Sequence, residues 1–206
     1  MHAQLARTLP WLIALLAAAW LAGCGDEDDV TNPEGDNQEE VITTINLTFT
    51  PAGGGEAVTA QFRDADGPGG EEPTQSDIVL TSGESYTLAV ELLNETVSAD
   101  DEEYNIGGEI AEEAEEHQLF FTGTAVGAVV THAYADKESD YGADSDGEDL
   151  PVGLSNTITA TAAGDGTFIV TLKHQPPVND TAVKTATSGI ADGETDVEVE
   201  FALTVQ

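Results

Sequence analysis

The chain has 206 residues, with 40 Asp and Glu against five Lys and Arg, a formal net charge of −35 and a single cysteine. That balance excludes the usual electrostatic route to nucleic acid, which needs clustered cations, and it disfavours docking on anionic lipid. One cysteine leaves no internal disulfide.

At the N terminus, Arg7 lies in a polar start, an apolar run extends from Trp11 to Leu21, and small residues precede Cys24. These are the three parts of a secretory signal, and the run is shorter than the ~20 apolar residues of a spanning helix. Leu21-Ala22-Gly23-Cys24 resembles the lipobox of bacterial lipoproteins. That resemblance implies lipidation of the Cys24 sulfur, cleavage before it, and acylation of the new amino terminus. Residues 1–23 are therefore expected to be a lipoprotein signal peptide. The mature chain is expected to be held at the membrane by acyl chains, each buried methylene adding ~0.8 kcal/mol.

Gly25-Asp26-Glu27-Asp28-Asp29 follows directly. It resembles the acidic tag of Bacteroidota-type lipoproteins sent to the outer face of the outer membrane. The expected location is the cell surface, with the periplasmic face as the alternative. Residues 24–40, rich in Asn, Glu, Gly and Asp, read as an acidic flexible tether, which leaves 41–206 for one folded domain.

From Val41 onward the dominant pattern is period two, bounded by Gly, Pro, Asp and Asn clusters, the signature of half-buried antiparallel strands. Ile45, Leu47 and Phe49 share one face, as do Val58, Ala60 and Phe62, and a weaker run holds Ile78 and Leu80. Tyr86, Leu88, Val90 and Leu92 follow, then Leu119 with Phe121, then Val126, Ala128 and Val130. Leu154 with Ile158 comes next, then Phe168, Val170 and Leu172. Val197, Val199, Phe201, Leu203 and Val205 close the chain. Ile106, Ile110, Ala114 and His117 recur instead at helical spacing, which predicts a short amphipathic helix over an edge or opening. About nine strands with one short helix predict an all-β, antiparallel β-sandwich of immunoglobulin-like or related Greek-key type. A β-barrel is the alternative. Insertions at 63–76, 135–151 and 175–194 should emerge at strand ends, where loops carry function.

The order of these pieces resembles a group of small acidic lipoproteins from Bacteroidota and their relatives. The resemblance is carried by Asp64-Ala65-Asp66-Gly67-Pro68-Gly69-Gly70, Glu115-Glu116-His117-Gln118-Leu119-Phe120-Phe121 and Leu154-Ser155-Asn156-Thr157. Leu172-Lys173-His174-Gln175-Pro176 and Gly193-Glu194-Thr195-Asp196-Val197 complete it. The group is often labelled with a periplasmic-binding fold. This chain lacks the alternating strand and helix units that such an α/β fold requires.

Three histidines fall in phase with apolar strand faces near strand ends: His117, His132 and His174. Neutral imidazoles converging from such ends suit zinc or copper, with a glutamate as a further ligand. The competing reading is that each ring is a satisfied, partly buried residue donating to a backbone carbonyl. A second candidate is the loop holding Asp136, Asp140, Asp144, Asp146, Glu148 and Asp149, whose hard oxygens suit calcium. Its spacing is not that of an EF-hand, since Gly142 and Gly153 fall at the first and last ligand positions.

No nucleophile elbow, phosphate-cradling loop or dinucleotide fingerprint occurs, and Cys24 is claimed by the anchor. A non-catalytic, lipid-anchored binding or accessory protein is therefore expected, capturing a metal or small ligand for an outer-membrane transporter. A TonB-dependent receptor is the partner expected by analogy. The alternative is a structural or adhesive surface domain without a small ligand. Extreme acidity with little lysine further points to a halophilic or marine source, where salt screens the repulsion among carboxylates.

Overall fold

The computed structural model describes residues 40–67, 69–142, 148–179 and 181–206. The signal segment, Cys24 and the tether up to residue 39 lie outside the described residues, as do Asp144 and Asp146 of the acidic loop. No helix among the described residues is long and apolar enough to cross a membrane.

Ten strands form two sheets, joined by one α-helix and two short 3-10 turns. The six-stranded sheet has the order β3 (Thr74–Gln75), β2 (Val58–Arg63), β1 (Thr44–Pro51), β5 (Ser85–Leu93), β8 (Ser155–Ala160), β7 (Val130–Tyr134). The four-stranded sheet has the order β4 (Ile78–Leu80), β10 (Glu194–Val205), β9 (Gly164–His174), β6 (His117–Thr122). The chain passes between the sheets at β3–β4, β4–β5, β5–β6, β6–β7 and β8–β9, so the expected all-β sandwich is what forms.

Period-two burial explains which faces meet. Ile45, Leu47 and Phe49 of β1 are fully buried, and so are Phe168, Val170 and Leu172 of β9 in the opposite sheet. The rings of Phe49 and Phe168 meet edge to face across the sandwich at 6.3 Å. Such aromatic contacts add to the transfer of apolar surface out of water, ~25 cal/mol per Å². Tyr86 joins the same cluster while its hydroxyl accepts the Thr81 backbone N–H at 2.9 Å, which satisfies its polar end.

Several details differ from the sequence pattern. The sandwich is not wholly antiparallel, because β4 runs parallel to β10, with Ile78 opposite Leu203. β3 adds a tenth strand of two exposed residues inside the expected 63–76 loop. Val126 and Ala128 belong to a tight turn before β7. Gly123 (φ 100°) and Gly127 (φ 83°) permit that turn, and Ala125 carries its buried contact. The helix α1 is Ile106–Glu112, shorter than the helical spacing implied. Asn105 caps its start, the side chain accepting the Gly108 N–H at 3.2 Å. Ile106, Ile110 and Ala114 are buried as predicted, whereas His117 opens β6.

Candidate metal centre

β6 and β9 pair antiparallel in a register that sets His117 directly opposite His174. Directly opposed residues on one face of a sheet bring their side chains together. Here the two imidazoles stack with centroids 4.4 Å apart and planes 5° apart. His117 is 0% exposed and His174 4%. The segment after α1 then closes over them. Glu113 caps the helix, Glu116 N–H donates to the Glu113 carbonyl at 2.9 Å, and Gln175 N–H donates to the Glu116 carbonyl at 2.6 Å. On the other side Gly193 (φ 73°), immediately before β10, packs against the His174 carbonyl with no room for a Cβ.

The geometry assigns the tautomer of His117. Nδ1 lies 3.3 Å from the Glu113 carbonyl oxygen and 3.8 Å from its Oε2, both of which only accept. Nδ1 therefore carries the proton, and Nε2 presents a lone pair that is buried and has no hydrogen-bond partner among the described residues. Burial, followed by the nearby His174 and Lys184, lowers the His117 pKa to about 4, so the ring is neutral at neutral pH. The His174 Nε2 lies 3.7 Å from Glu116 Oε2. Burial and the neighbouring Glu116 charge raise the pKa of the Glu113 carboxyl.

Ligand-capable atoms of Glu113, His117 and His174 lie within 4.8 Å of one another, the one such group of three among the described residues. Two imidazoles and a carboxylate form a donor set for zinc or copper, and a backbone carbonyl on Nδ1–H is the outer contact that orients such a histidine. Two ligands at ~2.1 Å from zinc stand at most ~4.2 Å apart. Parallel rings also direct their lone pairs side by side. Binding an ion therefore requires the group to draw in and at least one ring to turn out of the stack.

His132 is not part of this group. It sits on β7 in the six-stranded sheet, its Nε2 donates to Asn156 Oδ1 at 2.9 Å, and its ring lies 4.6 Å from both Phe121 and Tyr134. It is a half-buried histidine satisfied by a side-chain amide, where the competing reading expected a backbone carbonyl. In the acidic loop, the described carboxylates are held by the chain itself. Asp136 accepts from Gly153 N–H, Ser155 N–H and the Tyr141 hydroxyl, each at 2.8 Å. Asp140 accepts from Lys137 N–H at 3.0 Å, and Asp149 from Ser139 N–H at 3.0 Å and the Ser139 hydroxyl at 2.8 Å. Glu148 is exposed. No three of them gather for calcium among the described residues.

Glu113 was not singled out from the sequence, although its position four residues before His117, the spacing of one helical turn, is a legible signal. Glu138 was likewise passed over. It is 3% exposed and pairs with Lys184 at 2.8 Å, while the same ammonium donates to the Ala114 carbonyl at 2.6 Å. That contact ties the 175–194 segment to the base of the histidine pair.

No protein-family model and no curated protein matches the chain. Among solved structures it is similar to domains 4 and 5 of the S-layer protein SbsC, at 11% identity, over 77% of this chain and 75% of that one, with a TM-score of 0.29.

Proposed function

We propose that this chain is a lipid-anchored binding protein of the cell envelope that captures a transition-metal ion, zinc or copper, through His117, His174 and Glu113. The observation that carries the reading is the buried lone pair on His117 Nε2, unpartnered among the described residues, on a ring stacked against a second imidazole and with the Glu113 carboxylate 3.8 Å from its Nδ1. A buried acceptor without a donor costs about 1–3 kcal/mol, and a metal ion bonded there removes that cost. The anchor rests on the lipobox-like run ending at Cys24, and display on the outer face rests on the acidic residues behind it. Delivery to an outer-membrane transporter of the TonB-dependent kind rests on analogy. The chemistry is capture and release, without catalysis.

Calorimetric titration of metal-stripped protein with zinc and with copper(II) tests the reading. One ion should bind per chain, and His117→Ala and His174→Ala should each abolish binding, while His132→Ala leaves it intact. Glu113→Gln, at an exposed position that does not threaten folding, should weaken binding. Unchanged binding in both His117→Ala and His174→Ala would discard the site. The remaining reading would then be a structural or adhesive surface domain without a small ligand.

A further inference from the structure

A cleft of about 350 Å³ opens beside the histidine pair. Among the described residues, three of its carboxylates, Glu115, Glu116 and Glu148, have no lysine or arginine paired with them, because the cleft's ammonium, Lys184, is already paired with Glu138 at 2.8 Å. Glu116 belongs to both places. It lines the cleft, and its Oε2 lies 3.7 Å from His174 Nε2.

Gln175 supplies a second, independent sign of a missing positive partner. It is 1% exposed and lines the cleft, and its Nε2 donates to the Asp192 carbonyl at 3.1 Å, which fixes the orientation of the amide. Its Oε1 is buried with no donor. The cleft's own carboxylates do not gather into a three-ligand group, which among the described residues occurs at Glu113, His117 and His174. The cleft therefore concentrates cations without holding one tightly. An acid-lined cleft with low-dielectric walls focuses the field on a diffusing cation and raises its association rate.

We infer that this cleft is the path by which the metal ion reaches and leaves the histidine pair, and that Glu116 is the positioning residue that passes the ion between them. The inference rests on the metal reading above. It makes the ion exchangeable cargo held one step behind an open mouth. A residue on the path lowers the barrier in both directions, so its removal slows entry and exit together and leaves the equilibrium nearly unchanged.

Stopped-flow measurement on the full mature chain tests this, with zinc association followed by a chromophoric chelator and release driven by excess EDTA. In Glu116→Gln both association and release should slow by about tenfold, with affinity changed far less than either rate. Glu115→Gln should slow association alone. Glu56→Gln combined with Glu84→Gln, which removes exposed acids elsewhere, should leave the rates as they are. Unchanged rates in Glu116→Gln, faster release with normal association, or equal slowing by the distant pair would each overturn the path. Absence of zinc binding in the parent protein would instead overturn the metal reading itself, so the two failures are distinguishable.

Discussion

The carboxylate of Asp136 is 4% exposed and accepts three hydrogen bonds, two from the backbone of Gly153 and Ser155 and one from Tyr141. Hydrogen bonds to a charged acceptor contribute more than neutral ones, and buried donors left without a partner keep their full desolvation cost. This one side chain fastens the start of the acidic loop to the start of β8. Asp136→Ala should destabilise the protein by about 3–5 kcal/mol in urea unfolding, and Asp136→Asn by about 2 kcal/mol, because an amide nitrogen cannot accept. Both losses should be the same with chelator and with millimolar calcium. A loss that appears with calcium present and vanishes with chelator would return Asp136 to the role of a calcium ligand. From the sequence alone the two roles look identical, since density of acids does not reveal which donors face them.

At the scale of elements, α1 brings together charges that the sequence scatters. Ile106 and Ile110 bury its inner face, which leaves Glu109 and Glu113 beside Glu40, the residue where the described chain begins. Burial, then a hydrogen bond and repulsion from Glu109, then Asp196 and Glu113, raise the Glu40 pKa from 4.5 to about 8. A carboxyl raised in this way keeps its proton in the folded state while the unfolded chain has lost it. Stability therefore falls as pH rises through the window from 4.5 to 8. Glu40→Gln should match the parent below that window and exceed it in stability above it, as read by urea unfolding at each pH. Parallel curves for the two proteins would show that Glu40 is solvated. The strands themselves were legible because their sides face different solvents: Ile45, Leu47 and Phe49 are buried while the alternate positions are polar. β3 was not, because Thr74 and Gln75 are both exposed and are strand only through pairing with Phe62 and Arg63. The run Val126, Ala128, Val130 misled for a different reason: its alternation is accidental, because a glycine-permitted turn leaves Ala128 exposed and Val126 half-buried while Ala125, out of phase, is buried. His117 and His174 were legible as in-phase histidines near strand ends. Their opposition was not, because it depends on β6 choosing β9, a pairing across more than fifty residues that local pattern cannot encode.

For the whole molecule the governing quantity is the excess of 40 acids over five Lys and Arg. Among the described residues, lysine and arginine pair with few of these acids, as Arg63 does with Glu95, Lys137 with Asp149 and Lys184 with Glu138. Most carboxylates therefore meet other carboxylates across water, and their repulsion opposes the compact state. The range of that repulsion is set by salt, about 10 Å at 0.1 M and about 3 Å at 1 M. Melting temperature should rise as sodium or potassium chloride is increased, with most of the gain reached by about 1 M, where screening is already shorter than the spacing of neighbouring side chains. Chloride is the appropriate anion, because sulfate stabilises burial in any protein by exclusion from its surface. A melting temperature that stays flat across that range would mean that the carboxylates are far enough apart to ignore one another and that the surface is not salt-adapted. On the proposed metal reading, the same field would draw divalent ions toward the cleft beside His174, so the salt that strengthens the sandwich should also slow metal association.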